Sequence, residues 1–466
     1  WNKNKKVYFE AALNYDQQFG KHHVTGLLLY NQSKYYSPAL KFNVPNAYQG
    51  LVSRITYAYD SRYLAEINMG YNGTENFAKG KRFGFFPAFS MGWVVSEEPF
   101  FPKNDWLVFL KLRGSYGEVG NDQIGGERFL YMPSSYGYAP DKDFYKYHFG
   151  DASSYSTSRM IIENKIGNPN LTWEKARKMN FGFEANLLKN HLTVSFDVFK
   201  EKRNNILANR STQPMIIGAN LPAYNLGEME NKGWELDVNY RNRINKLNYW
   251  VRFNYSFARN KILYRDEVNK RYKYQLETGR RKDQFFGLLT DGFYNSWEEI
   301  NSLSRPRSAW SGNKLQPGDV KYVDVNKDGE IDNYDMVPIG YSPIPEIVYG
   351  FSFGFNWNNW DFSALWQGAD NVSIKYFGRS LWPFIKGEES AKELIKERWT
   401  PERYAANDKI TFPRLSLNPN RETDHNYRES DLWIRDAKYL RLKNVEVCYT
   451  FKKAFVKSLG LESVRL

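Results

Sequence analysis

The chain has 466 residues, 42% of them hydrophobic and 17% aromatic, and its 65 Lys and Arg against 52 Asp and Glu leave a net charge of +13. A mean hydropathy of −0.66 and the lack of any run of eighteen apolar residues exclude a bundle of transmembrane helices, but not a barrel, whose hydrophobicity alternation conceals. The basic residues are dispersed, with no basic helix or zinc-ligand spacing beside them, which argues against a nucleic-acid partner and for lumen and membrane-surface chemistry.

In chain order, the sequence opens at Trp1 with neither an initiator Met nor a signal peptide, and the expectation is a part of a longer polypeptide. Arg62–Tyr71 then alternates strictly, with Tyr63, Ala65, Ile67, Met69 and Tyr71 against Leu64, Glu66, Asn68 and Gly70. The pattern returns in Trp234, Leu236, Val238 and Tyr240 against Glu235, Asp237, Asn239 and Arg241, and in Tyr249 to Phe257 against Arg252, Asn254 and Ser256. Side chains of a strand point to opposite faces in turn, so each segment has one oily and one polar face. Strands of about 9–11 residues of this kind build a transmembrane antiparallel β-barrel, although a soluble β-sandwich also alternates. Turns fall at Asp60–Ser61, Lys189–Asn190, Arg243–Lys246 and Asn358–Asn359, and long excursions cover 117–175, 204–228, 261–343 and 371–436. Short and long ends alternate consistently, as when short turns face the periplasm and long loops face outside.

Later in the chain, Phe351, Phe353, Phe355 and Trp357 read as a lipid-facing set. Glu388–Trp399 reads as a short helix with Ala391, Leu394, Ile395 and Trp399 on one face. Cys448 is a lone cysteine and forms no internal disulfide. The chain ends at Val464, Arg465 and Leu466, as if inside a strand, and an open edge in lipid is costly, so closure of the barrel is expected from further chain. No Pro-, Gly- or Ser-rich linker divides the chain, so 1–466 is expected to be one partial β-barrel domain of about fourteen or fifteen strands.

The segments SRITYAYDSRYLAEINMGYNGTENFAKGKRFGFFPAFSMGWVVSEEPFF from Ser53, LKLRGSYGEVGN from Leu110 and NPNLTWEKARKMNFGFEANLL from Asn168 resemble the SusC/RagA family of TonB-dependent outer-membrane transporters. Further matches, in the family's order, are NKGWELDVNY from Asn231, GDVKYVDVNKDGEIDNYD from Gly318 and WIRDAKYLRLKNVEVCYTF from Trp433. The resemblance implies an all-β, multi-pass barrel of about 22 strands in the bacterial outer membrane, whose N-terminal plug has no counterpart in this chain. It further implies import of oligosaccharides or peptides with a SusD-like surface lipoprotein and TonB, and a dimer of transporter–lipoprotein pairs in contact with outer-membrane lipid.

One loop carries chemistry readable from its own residues. From Asp324 the sequence DVNKDGEIDNYD sets Asp324, Asn326, Asp328, Glu330, Asp332 and Asp335 at positions 1, 3, 5, 7, 9 and 12 of a calcium loop, with Gly329 at the sharp turn. A structural Ca²⁺ is expected there; an Asx-rich turn without metal is the competing reading. Tyr136, Tyr138, Tyr145, Tyr147, Trp310 and Trp382 lie in the excursions, where flat rings stack on sugars or peptide side chains; Tyr136, Tyr138, Trp310 and Trp382 are the substrate-contact candidates. Glu97 with Glu98, and Glu388 with Glu389, are adjacent carboxylates, which on a strand point apart. The five histidines have no metal-protease spacing, and no nucleophile elbow or phosphate loop occurs, so no enzyme is expected. The alternative function is a calcium-binding all-β surface adhesin or glycan-binding module, which would stay soluble without detergent. A secreted glycoside hydrolase would need two carboxylates facing across a cleft.

Overall fold

The computed structural model describes residues 3–38, 45–123, 128–132, 134–138, 146–151, 154–212, 221–310, 315–376, 382, 384, 393–416, 425–451, 456, 458, 460–461 and 464–466. Thirteen strands form one sheet: β1 (Lys5–Phe19), β2 (His22–Tyr36), β3 (Asn46–Tyr59), β4 (Tyr63–Thr74), β5 (Phe83–Val94), β6 (Leu107–Asn121), β7 (Glu174–Leu187), β8 (Leu192–Ala208), β9 (Tyr224–Ile244), β10 (Leu247–Tyr264), β11 (Ile347–Trp357), β12 (Trp360–Asp370) and β13 (Tyr439–Tyr449). Their order in the sheet is their order in the chain. The pairs from β1 to β10 are antiparallel, which makes them a meander. The spacing predicts about fourteen or fifteen strands, and thirteen join this sheet among the described residues. Other extended segments, such as Ser134–Tyr138 with Ile161–Lys165 and Lys146–Asp151 with Ser154–Arg159, instead pair with each other inside an excursion.

The short turns fall where the sequence puts them, and their backbone explains why. Asp60 (φ 50°), Ser61 (φ 56°), Asn245 (φ 53°) and Asn358 (φ 53°) take left-handed conformations, which match the twist of a tight hairpin and which Asn and Asp tolerate best. One connection breaks the alternation of short and long ends. Between β5 and β6 the chain forms a 3-10 turn at Val95–Glu97. Glu98, buried there, accepts hydrogen bonds from Trp93 Nε1 (3.0 Å) and Arg62 Nη1 (3.3 Å). Its carboxylate is thus committed to structure, whereas Glu388 and Glu389 lie outside the described residues.

Register sorts side chains by face. Leu112, Phe183, Phe196, Leu236 and Tyr255 stand in one row across β6 to β10, and Leu110, Ala185, Val194, Val238 and Phe253 in the next. The opposite face carries Arg113, Gly182, Asp197, Glu235 and Ser256 in a corresponding row. Large apolar residues of the first face are exposed on the chain itself, including Phe181 (61%), Phe89 (47%) and Ile67 (38%). Phe351, Phe355 and Trp357 are likewise exposed. Rings gather toward the turns, as in the pairs Tyr59–Tyr63, Tyr240–Tyr249 and Trp360–Tyr449, the arrangement of an interfacial aromatic girdle. Among the described residues no helix is long and apolar enough to cross a membrane.

The chain divides into two compact units, Trp1–Val268 with Phe351–Ala364 and Val445–Leu466, and Asn269–Gly350 with Leu365–Asn444. In the first, Phe77 from the connection between β4 and β5 and Leu130, Leu171, Trp173 and Ala223 from the excursions pack with Phe86 of β5 into a buried cluster. The second is built from two excursions locked by a polar knot. Asn426, fully buried, accepts from Val320 N–H (2.9 Å) and donates to Asp319 (2.8 Å), and Arg414 Nε lies 2.6 Å from Asp319. His425 joins Ser308 Oγ (2.9 Å) to the Val320 carbonyl (2.7 Å). Buried polar groups cost free energy unless paired, so this network favours one arrangement of the two loops. The helix expected over Glu388–Trp399 is, in its described part, a 3-10 helix at Glu393–Glu397. Ile395 and Trp399 are buried as expected. Trp399 Nε1 donates to Asn295 (3.1 Å) and its N–H to the Phe412 carbonyl (2.9 Å), which pulls the chain out of helical geometry; Ala391 lies outside the described residues.

Candidate functional site

The polar face of the first unit holds a recess of about 680 Å³, lined among others by Thr56, Glu66, Ser90, Arg113, Asn180 and Asp197. Arg113 is its hub. One nitrogen of the guanidinium lies 2.7 Å from Glu184, and another lies 2.5 Å from Asp197 and 3.3 Å from Ser195 Oγ. Asp197 is two strands away from Arg113, and Gly182 stands between them in register. A Cβ on Gly182 would overlap the Asp197 carboxylate, so the glycine is what lets the ion pair reach across. Arg54 pairs with Glu66 (2.9 Å), which also accepts from Asn68 (2.6 Å), and Glu235 accepts from Ser256 (3.3 Å). The result is a surface of hydrogen-bond donors and acceptors held by cross-strand ion pairs. Sequence reading assigned Asn254 and Ser256 to a polar face but did not single out the Arg113–Gly182–Asp197 relay. The signal was present in the alternating polar set Lys111, Arg113 and Ser115.

The 324–335 loop, in the second unit, gathers its acids around backbone. Asp335 is fully buried and accepts N–H bonds from Val325 (2.8 Å), Asn326 (3.3 Å) and Asp332 (2.9 Å). Asp324 accepts from Lys327 (2.6 Å) and Gly329 (2.9 Å), Asn326 from Asp328 (2.9 Å), Asp328 from Glu330 (3.0 Å), and Asp332 from Tyr334 (2.6 Å). Burial pushes the Asp335 carboxyl above its ordinary value, against the pull of its three N–H donors. Gly329 turns at φ +86°, as position 6 of the motif requires. As arranged, the oxygens close Asx turns, and among the described residues no three His, Cys, Asp or Glu side chains converge as a metal would need.

The aromatic candidates separate. Tyr138 is 70% exposed, with the Arg159 guanidinium 5.6 Å from its ring centre. Trp310 is half-buried, with Arg428 4.3 Å from its ring centre. Trp382 is 4% exposed and packs on Tyr427 (4.8 Å) and Trp433 (5.9 Å), so its ring supports the second unit rather than facing a ligand. Tyr147 is exposed. The Tyr136 side chain and Tyr145 lie outside the described residues.

Residues 1–378 match the family model described as "TonB dependent receptor-like, beta-barrel". The TonB-dependent receptor P26 of Formosa agariphila is 28% identical over 440 residues, covering 88% of this chain and 40% of that protein. The TonB-dependent receptor SusC of Bacteroides thetaiotaomicron is 27% identical over 403 residues, covering 86% and 37%. The structure of the RagAB peptide transporter superposes on the whole chain with a TM-score of 0.73 at 17% identity, covering 51% of its own chain. The chain spans about two fifths of the length of the curated relatives it matches.

Proposed function

The chain belongs to the TonB dependent receptor-like β-barrel family, and from that membership we propose that it is the wall of a SusC/RagA-type importer that carries oligosaccharides or peptides across the outer membrane. The observation that carries this reading is the two-faced meander: consecutive strands with exposed apolar residues on one side and a continuous hydrogen-bonding surface on the other. An apolar face on lipid and a polar face on a lumen are what a transport barrel needs. The Arg113 network gives the passing solute a wet, rigid lining. The long excursions supply the outer surface on which a SusD-like lipoprotein would close, and TonB would act through the part of the polypeptide beyond this chain. Peptide cargo is supported by the likeness to the RagAB peptide transporter, and glycan cargo by the exposed Tyr138 and Tyr147 rings, suited to stacking.

The test is native purification of the full-length parent from outer membranes in mild detergent, with mass spectrometry of all that copurifies. A stoichiometric lipoprotein with retained oligosaccharide or peptide is expected. Recovery from the soluble fraction without detergent and without that partner would overturn the proposal.

A further inference from the structure

On the apolar face, the rows continue past the oily band toward the long excursions, and there their chemistry changes. Above Phe181, Val198, Trp234 and Phe257 stands the row Tyr116, Met179, Lys200, Lys232 and Arg259, and above it Glu118, Arg177, Lys202, Glu230 and Lys261. The two rows hold six basic and two acidic residues. Lys200 is the direct register partner of Lys232, and Lys232 of Arg259, so three like charges sit side by side on β8, β9 and β10. Like charges directly opposite across strands destabilise a sheet. Glu230 answers Lys200 at 2.8 Å and Lys232 at 4.0 Å, and one carboxylate cannot neutralise both.

Lysines at an interface also reach outward simply to wet their ends. That explains basic residues here but not their crowding in direct register, and the other end of the same strands does not repeat it. There the same face carries Tyr240, Asn242, Tyr249 and Leu247, with no charge. The basic end adjoins the long excursions, the side that faces outward in such barrels.

We propose that Lys200, Lys232 and Arg259, with Lys261 above them, bind a lipid headgroup of the outer leaflet that carries more than one phosphate; Arg177 and Lys202 of the upper row are engaged by Glu118 and Glu228 (2.9 Å each). The backbones that carry the three cations of the lower row are spaced by the strand separation, about 4.8 Å each, and so offer a line of donors that two phosphates would bridge. The acyl chains then lie along Phe181, Val198, Trp234 and Phe257. The inference rests on the membrane-wall reading above.

The test uses the full-length parent in mild detergent and titrates it with diphosphorylated lipid A and with its dephosphorylated form, read by native mass spectrometry. The expected result is at least tenfold preference for the diphosphorylated lipid, weakened by salt and lost in the combined variant Lys200→Gln, Lys232→Gln, Arg259→Gln. Retained heat-modifiable migration of that variant shows that it still folds. Equal binding of the two lipids, or undiminished preference in the folded variant, overturns this proposal alone. A parent that stays monodisperse without detergent overturns the wall reading with it.

Discussion

Leu236 and Asn254 offer a direct test of which face meets lipid. The apolar stretch of β9 from Trp234 to Tyr240 covers about 20 Å along the strand at about 3.3 Å per residue, or about 15 Å along the membrane normal at a tilt of about 40°. Leu236 sits near its middle, between Phe196 and Tyr255 in register. An arginine there places its charge close to the bilayer centre, at a cost of about 2–4 kcal/mol, or about 30- to 1,000-fold in the folding equilibrium. Asn254 lies on the opposite face as the register partner of Asp237, so Asn254→Arg gains an acidic neighbour in a wet environment and should change stability by no more than about 0.5 kcal/mol. The measurement is urea unfolding of the full-length parent refolded into lipid vesicles, with heat-modifiable migration as the folding readout. Equal costs for Leu236→Arg and Asn254→Arg, or the reverse order, would refute the assignment of faces.

Trp382→Ala should destabilise the second unit by about 3–5 kcal/mol through the cavity left beside Tyr427 and Trp433. Tyr138→Ala should leave stability unchanged and lower only the amount of cargo retained on purification, so a stability loss at Tyr138 would mean its ring is structural. In the 324–335 loop, Asp335→Ala strands three backbone donors and should raise hydrogen exchange there sharply, at a cost of about 1–3 kcal/mol or more. Calcium is expected to raise protection of that loop as the acids regroup around the ion, and exchange that neither calcium nor a chelator changes would leave the Asx turns as its whole support. Glu397 is held below its ordinary value of 4.5 by the Thr411 hydroxyl and the Lys409 ammonium. Its folded-state value is depressed, so its contribution is present above 4.5 and fades as pH falls through the lowered value. Exchange across 393–416 should therefore quicken in that window, and protection persisting until the whole chain unfolds would contradict the assignment.

The sequence alone was enough to determine the wall. Period-two alternation is a local property, because every second side chain of a strand shares a face whatever the strand pairs with. Tyr63 to Tyr71 and Trp234 to Tyr240 therefore announced their faces, and Asp60, Asn245 and Asn358 announced their hairpins through backbone preference. The tertiary structure decided everything that depends on which strands are neighbours. Only register sets Arg113 beside Gly182 and Asp197, or lines up Lys200, Lys232 and Arg259 from three separate segments. The same holds for Trp382: its exposed-loop position in sequence gave no hint of burial against Tyr427 and Trp433, which arrive from more than forty residues away. The acids at 324–335 carry a spacing that suits a metal and equally suits a chain of Asx turns, and only the fold shows which backbone N–H groups each of them accepts from. Spacing along a chain fixes which residues share a face, whereas convergence of their side chains on one point is a property of packing.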